Sequence, residues 1–82
     1  MTSFSAQINV MLKPGIADPQ GQTIERALPA LGYSDVSGVR VGKRIELHLE
    51  AADRTDAELR VAEMCRRLLS NPVIEAFEVT IP

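Results

Sequence analysis

The stretch Phe4-Ser5-Ala6-Gln7-Ile8-Asn9-Val10-Met11-Leu12 decides the fold, because apolar and polar residues nearly alternate along it. A period of two is typical of a β-strand with one buried face. The residues predicted to share that face are Phe4, Ala6, Ile8, Val10 and Leu12. Lys13-Pro14-Gly15 then ends the strand, because proline cannot donate to a strand ladder and glycine accepts unusual backbone angles.

A first helix is predicted to begin at Asp18-Pro19, because aspartate caps free backbone N–H groups and proline suits the first helical position. An apolar stripe at i, i+3, i+4 and i+7 is predicted to face the core. Its residues are Ile24, Ala27, Leu28 and Leu31. Pro29 removes a hydrogen bond to Glu25 and predicts a kink in the last turns. Gly32 predicts the end of the helix.

Val36 to Glu50 is interpreted as a β-hairpin. The first arm runs from Val36 or Ser37 to Val41, the turn is Gly42-Lys43, and the second arm is Arg44 to Glu50. Gly38 is open to a second interpretation, as a β-bulge. The second arm alternates between a dry face and a wet face. The dry face has Ile45, Leu47 and Leu49, and the wet face has Glu46, His48 and Glu50.

A second helix and a last strand complete the pattern. Thr55-Asp56-Ala57-Glu58 matches a capping box just before a periodic apolar run. The predicted buried stripe is Val61, Ala62, Cys65, Leu68 and Leu69. Ser70-Asn71-Pro72 ends this helix, and Val73 to Ile81 is predicted as the last strand.

The predicted order is therefore β-α-β-β-α-β, an α+β fold in a single domain, residues 1–82. Right-handed crossovers predict a ferredoxin-like, four-stranded antiparallel sheet with both helices on one face. Nothing in a monomer covers the other face. That face and the sheet edges are expected to be polar or to meet a second copy.

Composition narrows the class of protein. The 82 residues carry a net charge of −2, which disfavours nucleic acid and anionic lipid as partners. One cysteine and no Cys/His cluster exclude an intrachain disulfide and a structural metal, so self-association is an expected route to stability. Met1 to Gln7 does not resemble a signal peptide, and no apolar run approaches the roughly 20 residues of a membrane helix. We expect a soluble cytoplasmic protein without a membrane partner.

Two residues are candidates for chemistry. His48 on the wet face is interpreted either as a proton shuttle or interface contact, or as an ordinary surface residue, which is favoured because no nucleophile or ligand cluster lies near it. Cys65 is interpreted as a nucleophile or, preferably, as a small core residue of the second helix. Fold alone decides no function. Lys13-Pro14-Gly15 lacks the arginine-containing phosphate loop of an acylphosphatase, and Phe4 is the only aromatic for stacking RNA bases on the central strands.

Charged and turn-forming residues give two further candidates. Arg40, Lys43 and Arg44 form either a docking point for an anion or acidic partner, or a solvated turn. Asp18-Pro19-Gln20-Gly21 forms either an anion site at a helix N-terminus or simply a cap.

Three segments together resemble a known family, and the resemblance covers essentially the whole chain. They are Leu12-Lys13-Pro14-Gly15-Ile16-Ala17-Asp18-Pro19-Gln20-Gly21, Val39-Arg40-Val41-Gly42-Lys43 with Glu46, and Leu68-Leu69-Ser70-Asn71-Pro72-Val73-Ile74-Glu75. They resemble the small PurS subunits of phosphoribosylformylglycinamidine synthase, an enzyme of de novo purine biosynthesis.

The resemblance implies a division of labour among subunits. A large PurL-type synthetase subunit is expected to hold ATP, magnesium and formylglycinamide ribonucleotide, and a PurQ-type glutaminase is expected to supply ammonia. The small subunit is expected to bridge them as a homodimer or higher oligomer, and to help shape the ammonia path. It implies no catalytic, cofactor-binding or metal-binding residues on this chain.

The same resemblance assigns residues to subunit contact, or to packing that presents a contact surface. They are Asp18, Pro19, Gln20, Gly21, Arg40, Gly42, Lys43, Asn71, Pro72 and Glu75. For Gly21, Gly42 and Pro72 the alternative is that they only fix turns, and Met11, Ala17 and Pro29 depart from the family pattern. A stand-alone amino-acid-binding regulatory domain is the alternative function. The assembly subunit is favoured because these positions fall at three turns rather than lining one pocket.

Overall fold

The computed structural model describes all 82 residues, Met1–Pro82. Three antiparallel strands form one sheet in the order β2-β1-β3, where β1 is Thr2–Leu12, β2 is Gly42–Ala51 and β3 is Glu75–Thr80. The helices are α1 (Pro19–Ala27), continued by a 3₁₀ turn over Leu28–Leu31, and α2 (Arg54–Met64), continued by a π-helical turn over Cys65–Leu69. Neither helix is long and apolar enough to cross a membrane.

The central strand confirms the alternating pattern of the sequence. β1 pairs with β2 along almost its whole length and with β3 over its second half, so Ile8 lies between Ile45 and Val79. Ala6, Ile8 and Val10 are buried, because directly opposed residues of antiparallel strands share a face and this face meets α2. The buried apolar residues form one cluster: Ala6, Ile8, Val10, Ala51, Ala57, Val61, Cys65 and Ile81.

The second helix begins slightly earlier than the capping-box pattern predicted. Asp53 is the N-cap and accepts a hydrogen bond from the Asp56 N–H at 2.8 Å, while the Asp56 carboxylate accepts one from the Ala52 N–H at 3.0 Å. These reciprocal bonds satisfy two free donors, as a capping box does. The box is therefore Asp53 to Asp56, and Thr55 lies inside the first turn.

The end of the second helix departs from its predicted stripe. Val61 and Cys65 are buried as predicted, and Leu69 is half-buried, but Leu68 is 82 % exposed. The π-helical turn inserts an extra residue per turn, which rotates the following side chains away from a 3.6-residue register. Leu68 consequently faces solvent. A π turn leaves no simple periodic mark in a sequence.

The prediction of a four-stranded, ferredoxin-like β-α-β-β-α-β sheet is wrong. Residues 36–41 form no strand, Gly42 begins β2 instead of a hairpin turn, and β2 pairs directly with β1. The Val39 N–H donates to the Glu25 carboxylate at 2.9 Å, and the Val41 N–H donates to the Asp18 carboxylate at 2.8 Å. Carboxylates of the first helix thus take the donors that a strand would use for its ladder, and Gly38 adopts a left-handed φ of 71°.

The first helix begins and ends as predicted, but it does not cover the sheet. Asp18 caps it, Pro29 coincides with the change to a 3₁₀ turn, and Gly32 ends that turn with a φ of 96°. Of its residues only Gly21 is buried, while Ile24 is 44 % and Leu31 72 % exposed. The prediction that both helices pack on one sheet face, with the α1 stripe in the core, is therefore wrong for the single chain.

The position of α1 makes the molecule long and thin. Its principal extents are 53 × 25 × 14 Å and its radius of gyration is 16.4 Å. A compact domain of this length has a radius of gyration of about 12 Å. The core lies between the sheet and α2, and the residues after β1 extend beyond it. We call α1 with its 3₁₀ turn, residues 19–31, the helical arm.

Candidate partner-binding surface

Asp18 joins the helical arm to the segment before β2. Its side chain accepts from the Gly21 N–H at 2.9 Å, as a helix cap, and from the Val41 N–H at 2.8 Å. It is only 7 % exposed, which is unusual for aspartate and is compatible with its full set of partners. Hydrogen bonds from Gly21 and Val41 hold the pKa of this carboxyl below its ordinary value of 3.8, and the charge of Arg40 acts in the same direction.

Arg40 connects the same segment to the end of β1. Its guanidinium donates to the Leu12 carbonyl at 2.8 Å, and its Nε lies 3.6 Å from an Asp18 carboxylate oxygen. The side chain is about a third exposed, so the ion pair is partly screened. Arg40 thus holds the turn together as well as lying at the surface. Lys43, by contrast, takes part in none of the three ion pairs and is exposed.

The Asn71–Glu75 turn is closed by its own residues. The Asn71 N–H donates to the Glu75 carboxylate at 2.6 Å, and the Glu75 N–H donates to the Asn71 carbonyl at 2.7 Å. The Asn71 side chain accepts from the Val73 N–H at 3.2 Å. Lys13 then ties the turn to the end of β1, because its ammonium donates to the Pro72 carbonyl at 2.7 Å and its backbone N–H to the Ile74 carbonyl at 2.8 Å.

The three segments singled out in the sequence therefore meet at the Leu12–Lys13 end of β1. Gln20, Lys43 and Glu75, one residue from each segment, line a single cleft of about 210 Å³. The remaining lining residues are Val10, Leu12, Val41 and Gly42. Four of the ten positions assigned from the sequence, Gln20, Gly42, Lys43 and Glu75, line this cleft, and the other six do not. The cleft is nevertheless smaller than the roughly 300–1,000 Å³ typical of small-molecule sites.

The other assigned residues lie around this cleft. Asp18 and Arg40 hold its wall, as described above. Pro19 lies with Gln20 on a neighbouring apolar cleft of about 400 Å³, which Thr23, Ile24 and Val41 complete. Asn71 and Pro72 shape the adjacent turn and do not line either cleft. We call the 210 Å³ cleft together with these flanking residues the end surface.

Gly21 and Gly42 are required by close backbone approaches. A Cβ at position 21 would lie 2.5 Å from the Val39 carbonyl oxygen, and one at position 42 would overlap the Met11 side chain and the Val10 carbonyl oxygen. These distances are well inside van der Waals contact. Both glycines let the chain segments of the end surface approach each other.

Neither candidate for chemistry belongs to a reactive arrangement. Cys65 is fully buried, and burial raises the pKa of its thiol although the charge of Arg66 acts in the opposite direction. His48 lies on the exposed sheet face, where its Nδ1 and the Ser5 hydroxyl are 3.0 Å apart. The structure places these two residues on opposite faces of the sheet, since Ser5 and Ala6 alternate and Cys65 packs with Ala6.

Two residues that hold the segments of the end surface together were not assigned to partner contact from the sequence. Lys13 was interpreted as part of a strand end and of the first resembling segment, although a cation next to a Pro-Gly pair is a usable signal for a tied turn. Glu25, which accepts from the Val39 N–H, gave no signal, because it looks like any solvated helical glutamate.

Comparison with known proteins identifies a family. The family model PurS, described as phosphoribosylformylglycinamidine (FGAM) synthase, matches residues 5–82. The chain is 46% identical over 80 residues to the phosphoribosylformylglycinamidine synthase subunit PurS of Synechocystis, covering 95% of this chain and 80% of that protein.

Solved structures agree with the family match. A chain in the structure of PurLQS from Thermotoga maritima is 38% identical, has a TM-score of 0.90, and is matched over 100% of both chains. PurS from Methanocaldococcus jannaschii, one of the subunits of formylglycinamide ribonucleotide amidotransferase in the purine biosynthetic pathway, is 35% identical with a TM-score of 0.85, covering 96% of this chain and 95% of that one. The chain belongs to the PurS family, the small subunits of phosphoribosylformylglycinamidine synthase.

Proposed function

We propose that this chain acts as a non-catalytic assembly subunit, which binds the large synthetase and the glutaminase and keeps them together. The complex would carry out ATP- and glutamine-dependent amidation of formylglycinamide ribonucleotide to the amidine. The observation that carries the proposal is the end surface. Three separate segments are fixed there by hydrogen bonds through Asp18, Arg40 and Lys13. Such a rigid, polar surface suits recognition of another protein, because little ordering free energy is spent on binding.

The arrangement supports a binding role more than a chemical one. Lys43 is exposed and has no ion-pair partner, so it is available to an acidic group of another subunit. The Thermotoga maritima neighbour comes from an assembly of PurL, PurQ and PurS, which supports the same two partners for this chain. Because the chain belongs to the PurS family, we favour this function over the alternative of a stand-alone amino-acid-binding domain.

The proposal extends to cofactors, self-association and location. ATP and magnesium are assigned to the large subunit and none to this chain. The chain is proposed to form a homodimer or higher oligomer and to work in the cytoplasm. A path for ammonia near this subunit is part of the same hypothesis.

A reconstitution experiment tests the proposal. The purified chain alone, given ATP, glutamine and formylglycinamide ribonucleotide, is expected to form no amidine. Addition of the large and glutaminase subunits is expected to restore glutamine-dependent amidation. Full activity of the two larger subunits without this chain would contradict an assembly role, and product from the chain alone would contradict a non-catalytic one.

The end surface is tested by one charge reversal with a matched control. Lys43→Glu reverses an exposed, unpaired charge at the cleft, and Arg66→Glu reverses an exposed charge in the π-helical turn after α2, outside the cleft. We expect the first to weaken binding to the larger subunits and the second to leave it unchanged, with both variants folded by circular dichroism. Equal binding by both would remove the end surface from the interface.

A further inference from the structure

Two turns are joined side by side at the end of β1. The first covers residues 13–16, and the second covers residues 71–74. The Lys13 ammonium donates to the Pro72 carbonyl at 2.7 Å, and the Lys13 backbone N–H donates to the Ile74 carbonyl at 2.8 Å. One residue of the first turn therefore holds the second turn at two points. We call the two joined turns the tip.

The tip exposes apolar side chains, although turns more often carry polar residues and glycine. Val73 is 78 % exposed and Ile16 36 %. Pro14 and Pro72, one in each turn, are exposed as well. The rest of the chain leaves all four side chains uncovered. Neighbouring apolar side chains of this kind on the surface of a folded protein mark a contact site.

The second turn is held in one conformation by its own residues. The Asn71 side-chain oxygen accepts from the Val73 N–H at 3.2 Å, which is an Asx turn. The Asn71 carbonyl accepts from the Ile74 N–H at 3.1 Å and from the Glu75 N–H at 2.7 Å. The ring of Pro72 fixes the φ angle between these bonds. Because Val73 is already held in place, a partner that binds it spends little free energy on ordering the turn.

The charges beside the tip are used within the chain. The Lys13 ammonium donates to the Pro72 carbonyl, and the Glu75 carboxylate accepts from the Asn71 N–H at 2.6 Å. Val73 consequently offers an uncharged, protruding side chain. The surface that complements it is a concave pocket lined by apolar side chains.

We propose that Val73 inserts into an uncharged apolar pocket of one of the two larger subunits, and that Lys13 is the positioning residue that holds Val73 for it. The inference rests on the proposed function. The tip is continuous with the end surface, because Asn71 and Pro72 belong to both. The end surface supplies polar and charged groups to the contact, and the tip adds an apolar anchor.

One substitution with a matched control tests the anchor. Val73→Ser removes the apolar side chain of the tip, and Leu59→Ser removes one that is 64 % exposed on α2. Each variant is titrated against the purified large subunit and against the purified glutaminase. We expect Val73→Ser to bind one of them about tenfold more weakly or worse, because burial of a valine is lost. The same loss is expected at about 0.05 M and about 0.5 M salt, since the pocket is uncharged.

Lys13 is tested through its effect on Val73. Lys13→Met keeps the length of the side chain and loses the hydrogen bond to the Pro72 carbonyl, whereas Lys13→Arg keeps a donor. We expect Lys13→Met to weaken binding, with faster hydrogen exchange at the Glu75 N–H, and Lys13→Arg to restore both. When Val73→Ser is already present, Lys13→Met is expected to weaken binding no further, because Lys13 acts through Val73. Additive losses would show that Lys13 contacts the partner by itself.

The outcomes separate the tip from the assembly role. Equal binding by Val73→Ser and Leu59→Ser, with the parent chain still bound, would overturn the inference and leave the assembly role intact. Dissociation of a dimer in Val73→Ser by light scattering would also overturn it, because the tip would then contact a second copy. A parent chain that binds neither larger subunit would overturn the proposed function, and the inference with it. The melting temperature of Val73→Ser is expected to match that of the parent, since this side chain has few contacts to lose.

Discussion

The sheet with α2 and the helical arm differ in how their apolar residues are buried, although both are predicted from equally regular patterns. In the sheet, the alternating residues Ala6, Ile8 and Val10 are buried by α2 of the same chain. In the arm, the helical stripe at Ile24 and Leu31 is exposed. Periodicity shows which side chains need a cover, but it does not show which chain supplies the cover. The comparison separates a part that is packed within one chain from a part whose apolar side chains the same chain leaves exposed.

Removing a core side chain from the sheet is the strongest test of this difference. Ile8 is fully buried in the central strand, and Ile8→Ala is expected to lower the free energy of unfolding by about 2–5 kcal/mol through lost transfer and a residual cavity. The same truncation in the arm, Ile24→Ala, is expected to cost less than about 0.5 kcal/mol in the dilute monomer. Urea denaturation at low protein concentration measures both. Similar losses would show that the arm is packed within one chain.

The boundary between the two parts is tested at Gly42. Gly42→Ala places a Cβ against the Val10 carbonyl oxygen and the Met11 side chain, and separates the first residue pair of the β1–β2 ladder. We expect a loss of about 1–3 kcal/mol in the free energy of unfolding, the usual cost of overpacking. Lys43→Ala, one residue along the same strand, is the control and is expected to be nearly neutral. An unchanged free energy of unfolding for Gly42→Ala would mean that the end of β2 shifts to accommodate the added Cβ.

The connection of the arm to the sheet is tested at Asp18. Asp18→Asn keeps the shape but loses the charge and one of two acceptor oxygens, so it cannot serve both the Gly21 and Val41 N–H groups. We expect a melting temperature lower by several degrees and faster hydrogen exchange at Val41. Asp35→Asn, an exposed aspartate outside the hydrogen bonds described, is the control. Unchanged exchange at Val41 would show that the carboxylate does not hold this segment.

The same carboxyl predicts an acid dependence. Its pKa is lower in the folded chain than the ordinary 3.8, so its contribution to stability is complete above that value. The contribution is lost as the pH falls through the lower folded pKa, because protonation removes acceptors for the Gly21 and Val41 N–H groups. The difference in melting temperature between the parent chain and Asp18→Asn is therefore expected to be constant near neutral pH and to shrink below about pH 4. A difference that persists at lower pH would contradict this cause.

The sequence predicted the elements of the molecule better than their arrangement. β1, the start of α1 and the core position of Cys65 follow from local periodicity and capping, and the structure agrees with them. The fourth strand was wrong because Asp18 and Glu25, distant in sequence, take the N–H groups of Val39 and Val41. Leu68 was misplaced because a π turn shifts the helical register. Local patterns carry no information on either event.

The residues of the end surface could be predicted from the sequence, but their convergence could not. The residues were found as three turn segments, since turns have strong local signatures. Their convergence was not found, because it depends on Arg40 reaching the Leu12 carbonyl and Lys13 reaching the Pro72 carbonyl. Both are long, flexible side chains that donate to backbone carbonyls. Because every residue type has a backbone carbonyl, the sequence does not indicate which one is the acceptor.

Hydrogen exchange as a function of protein concentration tests most directly whether the arm depends on a second copy. Amides of β1 and α2 are expected to be protected at every concentration, because their packing lies within one chain. Amides of the helical arm, such as those of Gln22 and Leu28, are expected to exchange fast in the dilute chain and to become protected as dimers form. Arm protection that stays the same from the lowest to the highest concentration would contradict the account.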